Sequence, residues 1–493
     1  MSDSTIQRVA IIGAGISGVV SAGHLLAAGI NVTVFERSRA AGGVWLYDKR
    51  VPIEVQYPCI KPSDVEKYGR DERDERERQQ LIHAPPGPCY ESLRNNVSTP
   101  LLRTTLNAWP EGTPRYVNHR VLKDYIQDTS KRAGVDAATI YGALVTRVSK
   151  NGQKWHVVWS SLHEDSHTKS VVEQQQTEIF DAVVVASGHY HTTMIPDIPG
   201  LAEAKAKWPS KITHSKSFRN AEGVEGKTVL LIGGGVSSVD IAREISPVVQ
   251  KVYQSTRNGA FDVPASALPK NATRIEQVAS FEMNSTDTAS LETHLPLTVR
   301  LKSGQALNNI DRIVLCTGYQ MVLPFLPEYT DHGEPVASPD SVIVTDGAQF
   351  HNLHRDIFYI PEPTLAFVGV PFYTATFTLF EFQAIAVAAL FSGVAQLPSV
   401  ESMRMEYKTR VETKGHGRSF HSLRGEEVDY VKQIIDWVNT GRSAHGLPLI
   451  EGHTASWLEE KNVHVERLML IWQGAIPYGN TDEAAPSGVE VSA

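Results

Sequence analysis

Glycine spacing carries the first chemical signal in this chain. Gly13-Ala14-Gly15-Ile16-Ser17-Gly18 reads GxGxxG; it follows the apolar run Arg8 to Ile12 and opens a helical pattern, Val19 to Ala28, that Gly29 stops. A second run, Asn31 to Glu36, ends in a carboxylate eighteen residues after Gly18. This order of strand, turn, helix, strand and terminal acid suits a dinucleotide. Gly13 makes the turn, Gly15 lets backbone N–H groups approach a pyrophosphate, Gly18 lets the helix pack on the strand, and Glu36 accepts from ribose hydroxyls. A carboxylate there disfavours a 2′-phosphate, so the expected ligand is FAD or NAD rather than NADP. Gly42-Gly43-Val44-Trp45 follows closely, letting an extended cofactor run past and offering an indole to pack over an isoalloxazine. Ser17, Arg37, Gly43, Val44 and Trp45 join Gly13, Gly15, Gly18 and Glu36 as candidate contacts. The plainer alternative is a strand-to-helix turn with no ligand, which gives no reason for Glu36.

A second glycine loop, Gly233-Gly234-Gly235-Val236-Ser237-Ser238, lies between the apolar run Thr228 to Ile232 and the helical pattern Val239 to Ile245. Ser238 replaces the third glycine and is small enough to keep the helix close. The next strand, Lys251 to Gln254, runs into Ser255-Thr256-Arg257 with no acid at its end. An arginine beside hydroxyls accommodates a 2′-phosphate, so this loop is expected to hold NADPH through Gly233, Gly235, Ser237, Ser238 and Arg257. An arginine exposed at a strand end for no special reason is the competing reading.

These motifs sit in a repeated plan. Each βαβ opening is followed by an excursion that returns to a buried strand, Ala182 to Ala186 ending Ser187-Gly188, and Ile313 to Leu315 ending Thr317-Gly318. Trp155 to Trp159 and Leu297 to Leu301 read as strands, Val121 to Ala133 as a helix, and from Glu362 a strand, Gly369 and a helix near Leu379 to Leu390 follow. The expected fold is α/β, with two Rossmann-like domains and the smaller NADPH domain inserted into the FAD domain. The expected parts are 1–200, first part of the FAD domain; 201–325, the NADPH domain; 326–480, the second FAD part with substrate-side helices; and 481–493, a loose tail. Lys61 to Gln80, charged with mixed sign, reads as a solvated insertion.

The segment from Trp208 to Phe218 resembles the FxGxxxHxxx[FY] fingerprint of flavin-containing monooxygenases, with His214 and Phe218 in register and Trp208 and Ser210 departing from it. Asp311 to Tyr319, Val183 to His189, Tyr90 to Asn96, Ala366 to Gly369 and Phe380 to Ala384 resemble further segments of that family. His83 to Tyr90 and Asn95 to Pro100 look most like fungal enzymes of secondary metabolism, including those that oxidise indole alkaloids. The resemblance implies FAD reduced by NADPH, a C4a-hydroperoxyflavin, and transfer of one oxygen atom from O2 to a soft nucleophile such as an amine or indole nitrogen or a sulfide. It adds Thr317, Gly318 and Gln383 to the cofactor contacts. It makes Asn96 the catalytic candidate, a neutral amide beside the flavin, with adjacent Asn95 its competitor and a cofactor contact of its own. Baeyer–Villiger enzymes carry Trp-Pro where this chain has Phe218-Arg219, which counts against ketone oxidation. A dithiol reductase needs a CxxC that is not present.

Composition agrees with these expectations. The 493 residues are 41% hydrophobic and 21% charged, which suits two or three folded domains. A net charge of -8 gives no basic footprint for nucleic acid. Cys59, Cys89 and Cys316 are too sparse for a disulfide framework, and no metal site is expected. The apolar stretch Ala384 to Phe391 is far too short to span a bilayer, so the cytoplasm is the expected location, with a homodimer left open.

Overall fold

The computed structural model describes residues 6–64, 67–69, 73–164, 170–284, 294–331 and 339–476. The expected tail, 481–493, lies outside the described residues. Val9 to Ile12 and Ala182 to Val185 are almost uniformly apolar, as strands covered on both faces must be. They form the centre of a seven-stranded sheet from β1 (Arg8–Ile12), β2 (Asn31–Glu36), β3 (Thr139–Tyr141), β7 (Ala182–Val185), β18 (Leu353–His354), β19 (Phe358–Tyr359) and β20 (Leu365–Phe367), ordered 18-19-20-7-1-2-3. Its strands pair in parallel except at β18 and β19. A three-stranded antiparallel sheet, β4 (Leu144–Asn151), β5 (Lys154–Glu164) and β6 (Val171–Phe180), packs Trp155, Trp159 and Phe180 with Phe35 beneath it. The polar excursion expected after Trp159 is thus mostly strand, and the edge strand β6 is polar because both of its faces meet solvent from Val172 to Thr177.

Between β7 and β18 the chain builds a second sheet, all parallel: β9 (Ile212–His214), β10 (Thr228–Ile232), β11 (Lys251–Ser255), β12 (Ala272–Ile275) and β16 (Arg312–Leu315), ordered 12-11-10-16-9. A small antiparallel sheet of β13 (Val278–Met283), β14 (Leu297–Leu301) and β15 (Ala306–Leu307) accompanies it. Short strands β8 (Thr192–Thr193) and β17 (Tyr319–Gln320) pair antiparallel and tie the outgoing and returning chain together.

Helix α1 (Ile16–Ala27) begins inside the first glycine loop with Gly15 as its N-cap, three residues earlier than its apolar pattern suggests. Its neighbour α6 (Thr376–Phe391) is mostly apolar and buried on nearly every side, packed against α1 and α8 (Glu427–Ala444). The other helices are α2 (Glu75–His83), α3 (His119–Arg132), α4 (Leu201–Lys207), α5 (Val236–Ile245), α7 (Val400–Lys414) and α9 (Ala455–Trp472). Part of the charged segment 61–80 is therefore helical: Asp74 caps α2 by accepting from Glu77 N at 2.8 Å, and Leu81 beyond it is buried. Among the described residues no helix is long and apolar enough to cross a membrane.

Candidate functional site

In each of the two large sheets a parallel inner strand, β1 or β10, ends in a glycine turn, and both turns line one cleft of about 2070 Å³. Ligands of open α/β sheets bind outside the carboxyl ends of the strands. The volume is about twice the upper end of the range for a drug-sized ligand, leaving room for two long ones.

Close backbone approach builds the first turn. Gly13 has φ +104°, and a Cβ there would lie 2.7 Å from Ala186 O. A Cβ on Gly18 would lie 1.8 Å from Gly13 O, so this glycine lets the helix sit on its own turn. The Gly42-Gly43 loop rests directly on it: Gly42 N donates to Ala14 O at 3.0 Å, and a Cβ on Gly43 would come within 2.9 Å of Gly15 Cα. GxGxxG and GGxW thus form one backbone cradle, with Val44 and Trp45 on its wall. Glu36 is 6% exposed and held in place by Ala14 N and Ser38 N, each donating at 2.7 Å to a different carboxylate oxygen. Arg37 lines the cleft beside His191, Nη2 to Nδ1 2.6 Å. Ser17 supports Gly369, where a Cβ would lie 2.5 Å from the Ser17 hydroxyl.

The second turn differs in detail. Gly233, at φ +126°, leaves no room for a Cβ, which would meet Cys316 O at 2.2 Å. Gly235 has φ -80° and nothing within 4 Å of its Cβ position, so only the cleft lies over it. Ser237 and Arg257 line the cleft. The hydroxyls expected to assist Arg257 point elsewhere, Ser255 donating to Glu276 O and Thr256 to Asp262. Asp262, beside Gly234, is a carboxylate that the strand-end pattern could not reveal because it arrives from the following loop.

Four expected contacts stand off the cleft, each for a physical reason. Gly18 is spent on packing. Ser238 is buried, donating to Gly235 O and accepting from Gln254 Nε2, which holds the helix start. Gln383 accepts from Gly369 N at 3.0 Å and donates to the Tyr430 hydroxyl, so it shapes the Gly369 turn from behind. Asn95, 1% exposed, donates to Val97 O and Arg115 O and accepts from Val117 N, which uses its amide entirely on backbone. Asn96 is exposed and faces the cleft. Thr317 and Gly318 also line it, the Thr317 hydroxyl donating to Met194 O at 2.5 Å across the crossover between the sheets.

His214 is buried in the short strand β9, its Nδ1 accepting from Lys216 N, and it forms no part of the cleft wall. Burial, then the nearby Lys216, push its pKa down to about 3. Phe218 does reach the wall, 5.7 Å from the ring of Tyr90.

A flavin-binding monooxygenase-like family model matches residues 86–275 and 290–455, and an FAD dependent oxidoreductase model matches 8–85. The chain belongs to the flavin-binding monooxygenase-like family. It is therefore a flavoprotein oxidoreductase with FAD as cofactor. Flavin-containing monooxygenase ustF2 of Aspergillus flavus is 47% identical over 94% of this chain and 97% of its own length. Flavin-containing monooxygenase iboF of Amanita muscaria is 30% identical over 90% of this chain and 89% of its own length. Among solved structures, S-allyl-L-cysteine S-oxygenase from Allium sativum superposes with a TM-score of 0.68 at 25% identity, covering 94% of this chain and 92% of that one. Cyclohexanone monooxygenase, at 12% identity and a TM-score of 0.55 over 91% of this chain, shares the fold.

Sequence reasoning missed several features of this flavoprotein cleft. His189 lines it with Nε2 unpartnered, its pKa lowered to about 4 by burial and then by His421 and Arg418. The Arg418 guanidinium overhangs Gly318, 2.5 Å from where a Cβ would stand. Helix α9, within the part expected to carry substrate-side helices, lines the cleft through residues that were not singled out, from Lys461 to Trp472. The last two come from the C-terminal third, where no short motif marked them.

Proposed function

We propose that this chain is an FAD- and NADPH-dependent monooxygenase that transfers one oxygen atom of O2 to a soft nucleophile, nitrogen or sulfur, of a small molecule. The carrying observation is that two glycine cradles, on two separate sheets, open into one cleft. When bound there, FAD and NADPH supply the oxygen and hydride chemistry, and the chain supplies position, dryness and hydrogen bonds. Gly13, Gly15 and Gly43 leave backbone free to meet one pyrophosphate, and α1 aims its N-terminus at it. Glu36, already oriented by two N–H donors, keeps lone pairs for ribose hydroxyls. Gly233 and Gly235 repeat the arrangement for NADPH, and Arg257 stands where a 2′-phosphate needs a forked cation. Asn96 offers a donor and an acceptor without a charge to desolvate, so it can order the reacting centre in a site that must exclude water. Trp45, Phe377 and Phe380 give that site apolar walls.

The preference for a soft nucleophile draws on the likeness to S-allyl-L-cysteine S-oxygenase and on Phe218-Arg219. The buried Arg219 guanidinium donates to the carbonyls of Arg50, Gly87, Lys216 and Phe218, a structural use that suits a pivot between the sheets. The domain parts that go with this reading are 1–200, 201–325 and 326–480, and the fungal relatives support a role in secondary metabolism. Anaerobic addition of NADPH should bleach the flavin, and air with a thioether or tertiary amine should then give its oxide. Bleaching by NADH alone, or an ester from a ketone with no oxide from either probe, would overturn the reading.

A further inference from the structure

The residues matched by the flavin-binding monooxygenase-like model end at 455, where α9 begins. Its first turn is anchored on the FAD side: Trp457, 1% exposed, packs with Leu101 and Ala375. Its last turn is anchored on the other module, where Ile471 packs with Val239, Val263 and Ala267 and the Ser266 hydroxyl donates to Trp472 O at 2.7 Å. The helix therefore straps the two modules together and roofs the cleft between them.

Its middle is stapled along the segments that flank Asn96. Glu460 accepts from the Ser98 hydroxyl at 2.7 Å and from Arg115 at 2.6 Å, and the Arg467 guanidinium lies 5.2 Å from the ring centroid of Tyr116. Residues 460, 464 and 467 share one helical face, so His464 is held between the two staples, against the wall that carries Asn96 and Tyr116. His464 is 7% exposed, it lines the cleft, and its buried Nδ1 has no partner among the described residues. Burial, then Lys461 and Arg467, lower its pKa to about 4, so the ring is neutral at neutral pH. A neutral imidazole carries one proton. Stranding a lone pair at the buried Nδ1 is tolerated more readily than stranding an N–H there, which puts the proton on Nε2, the nitrogen left for the cleft.

We propose that α9 is the substrate-selecting wall of the cleft, and that His464 donates from Nε2 to an acceptor oxygen, a carboxylate or carbonyl, that the substrate carries near its reacting nitrogen or sulfur. The proposal rests on the oxygen-transfer reading above.

Two probes with the same thioether test it, S-allyl-L-cysteine, which has the carboxylate, and allyl methyl sulfide, which has none. Wild-type enzyme should show the higher kcat/KM on S-allyl-L-cysteine. His464→Leu should raise its KM about tenfold, the loss of one charge-assisted hydrogen bond. The KM values for allyl methyl sulfide and for NADPH should stay within about twofold, and His464→Gln, which keeps a donor, should recover most of the loss. Flavin content and Tm are read on each variant. Equal changes for the two sulfides, or no wild-type preference between them, overturn the assignment of His464 and leave oxygen transfer standing. No oxide from either sulfide or from N,N-dimethylbenzylamine overturns the oxygen-transfer reading, and this inference with it.

Discussion

Gly235→Ala separates ligand binding from folding more cleanly than any other change in the two cradles. At Gly13, Gly18, Gly43 or Gly233 a Cβ meets backbone at 2.9 Å or less, so a failed variant would say nothing about a ligand. At Gly235 the backbone is extended at φ -80° and no protein atom lies within 4 Å of the Cβ position. Alanine there should stabilise the fold by about 0.4–1 kcal/mol, through lost freedom of the unfolded chain, and Tm should rise by no more than about 2–4 °C. The same methyl occupies the space where the pyrophosphate of NADPH must approach the N-terminus of α5. Losing one charge-assisted N–H contact costs about 1.5–3 kcal/mol, roughly a ten- to hundredfold rise in the NADPH KM. The assay is a thermal melt, a flavin spectrum and an NADPH titration on one preparation. A normal melt and full flavin with an unchanged KM would refute the placement of NADPH over Gly235.

Three further outcomes are expected. Arg257→Ala should raise the KM for NADPH roughly tenfold and leave that for NADH little changed, since one charged contact to the 2′-phosphate is lost; equal losses with both would make Arg257 structural. Asn96→Ala should still be reduced by NADPH but release hydrogen peroxide in place of product, whereas Asn95→Ala, which strands Val97 O, Arg115 O and Val117 N, should lower Tm by the equivalent of about 1–3 kcal/mol and keep its coupling; the reverse pattern would assign the flavin-side role to Asn95. Stability should also fall as pH drops from about 6.5 toward 4. His189 and His214 have folded pKa values near 4 and 3, so the unfolded chain takes up protons in that window while the folded one does not, at up to about 1.4 kcal/mol per pH unit for each group. Urea midpoints at pH 7.5 and 5 measure this, and equal midpoints would contradict it.

What could be read in the sequence was what local chemistry dictates. β1, β2, β10 and β14 coincide with apolar runs because buried parallel strands and alternating hairpin strands have short, unambiguous patterns. The glycine cradles were legible because no other residue fits the backbone contacts at Gly13 and Gly233. Of the long strands only the first half of β5, Trp155 to Trp159, was legible; β6 was not, since its solvent-facing residues, such as Glu173 to Gln176, look like loop. Nor were the second roles within motifs. Asn95 and Asn96 are chemically identical neighbours, and only the turn that buries one and exposes the other tells them apart. Ser238 and Gln383 carry the motif yet work from behind the wall. Asp262, Arg418 and His464 reach the cleft from loops and a helix distant in sequence, where position depends on tertiary packing alone.

Oxygen isotopes show whether one cleft couples NADPH oxidation to transfer of a single oxygen atom from O2. Purified protein carrying FAD is given NADPH and a thioether under ¹⁸O2, and product is weighed against NADPH consumed. One ¹⁸O atom per product molecule is expected, at close to one product per NADPH. Product oxygen drawn from water, or NADPH consumed under ¹⁸O2 with no labelled product from thioether or amine, would contradict it.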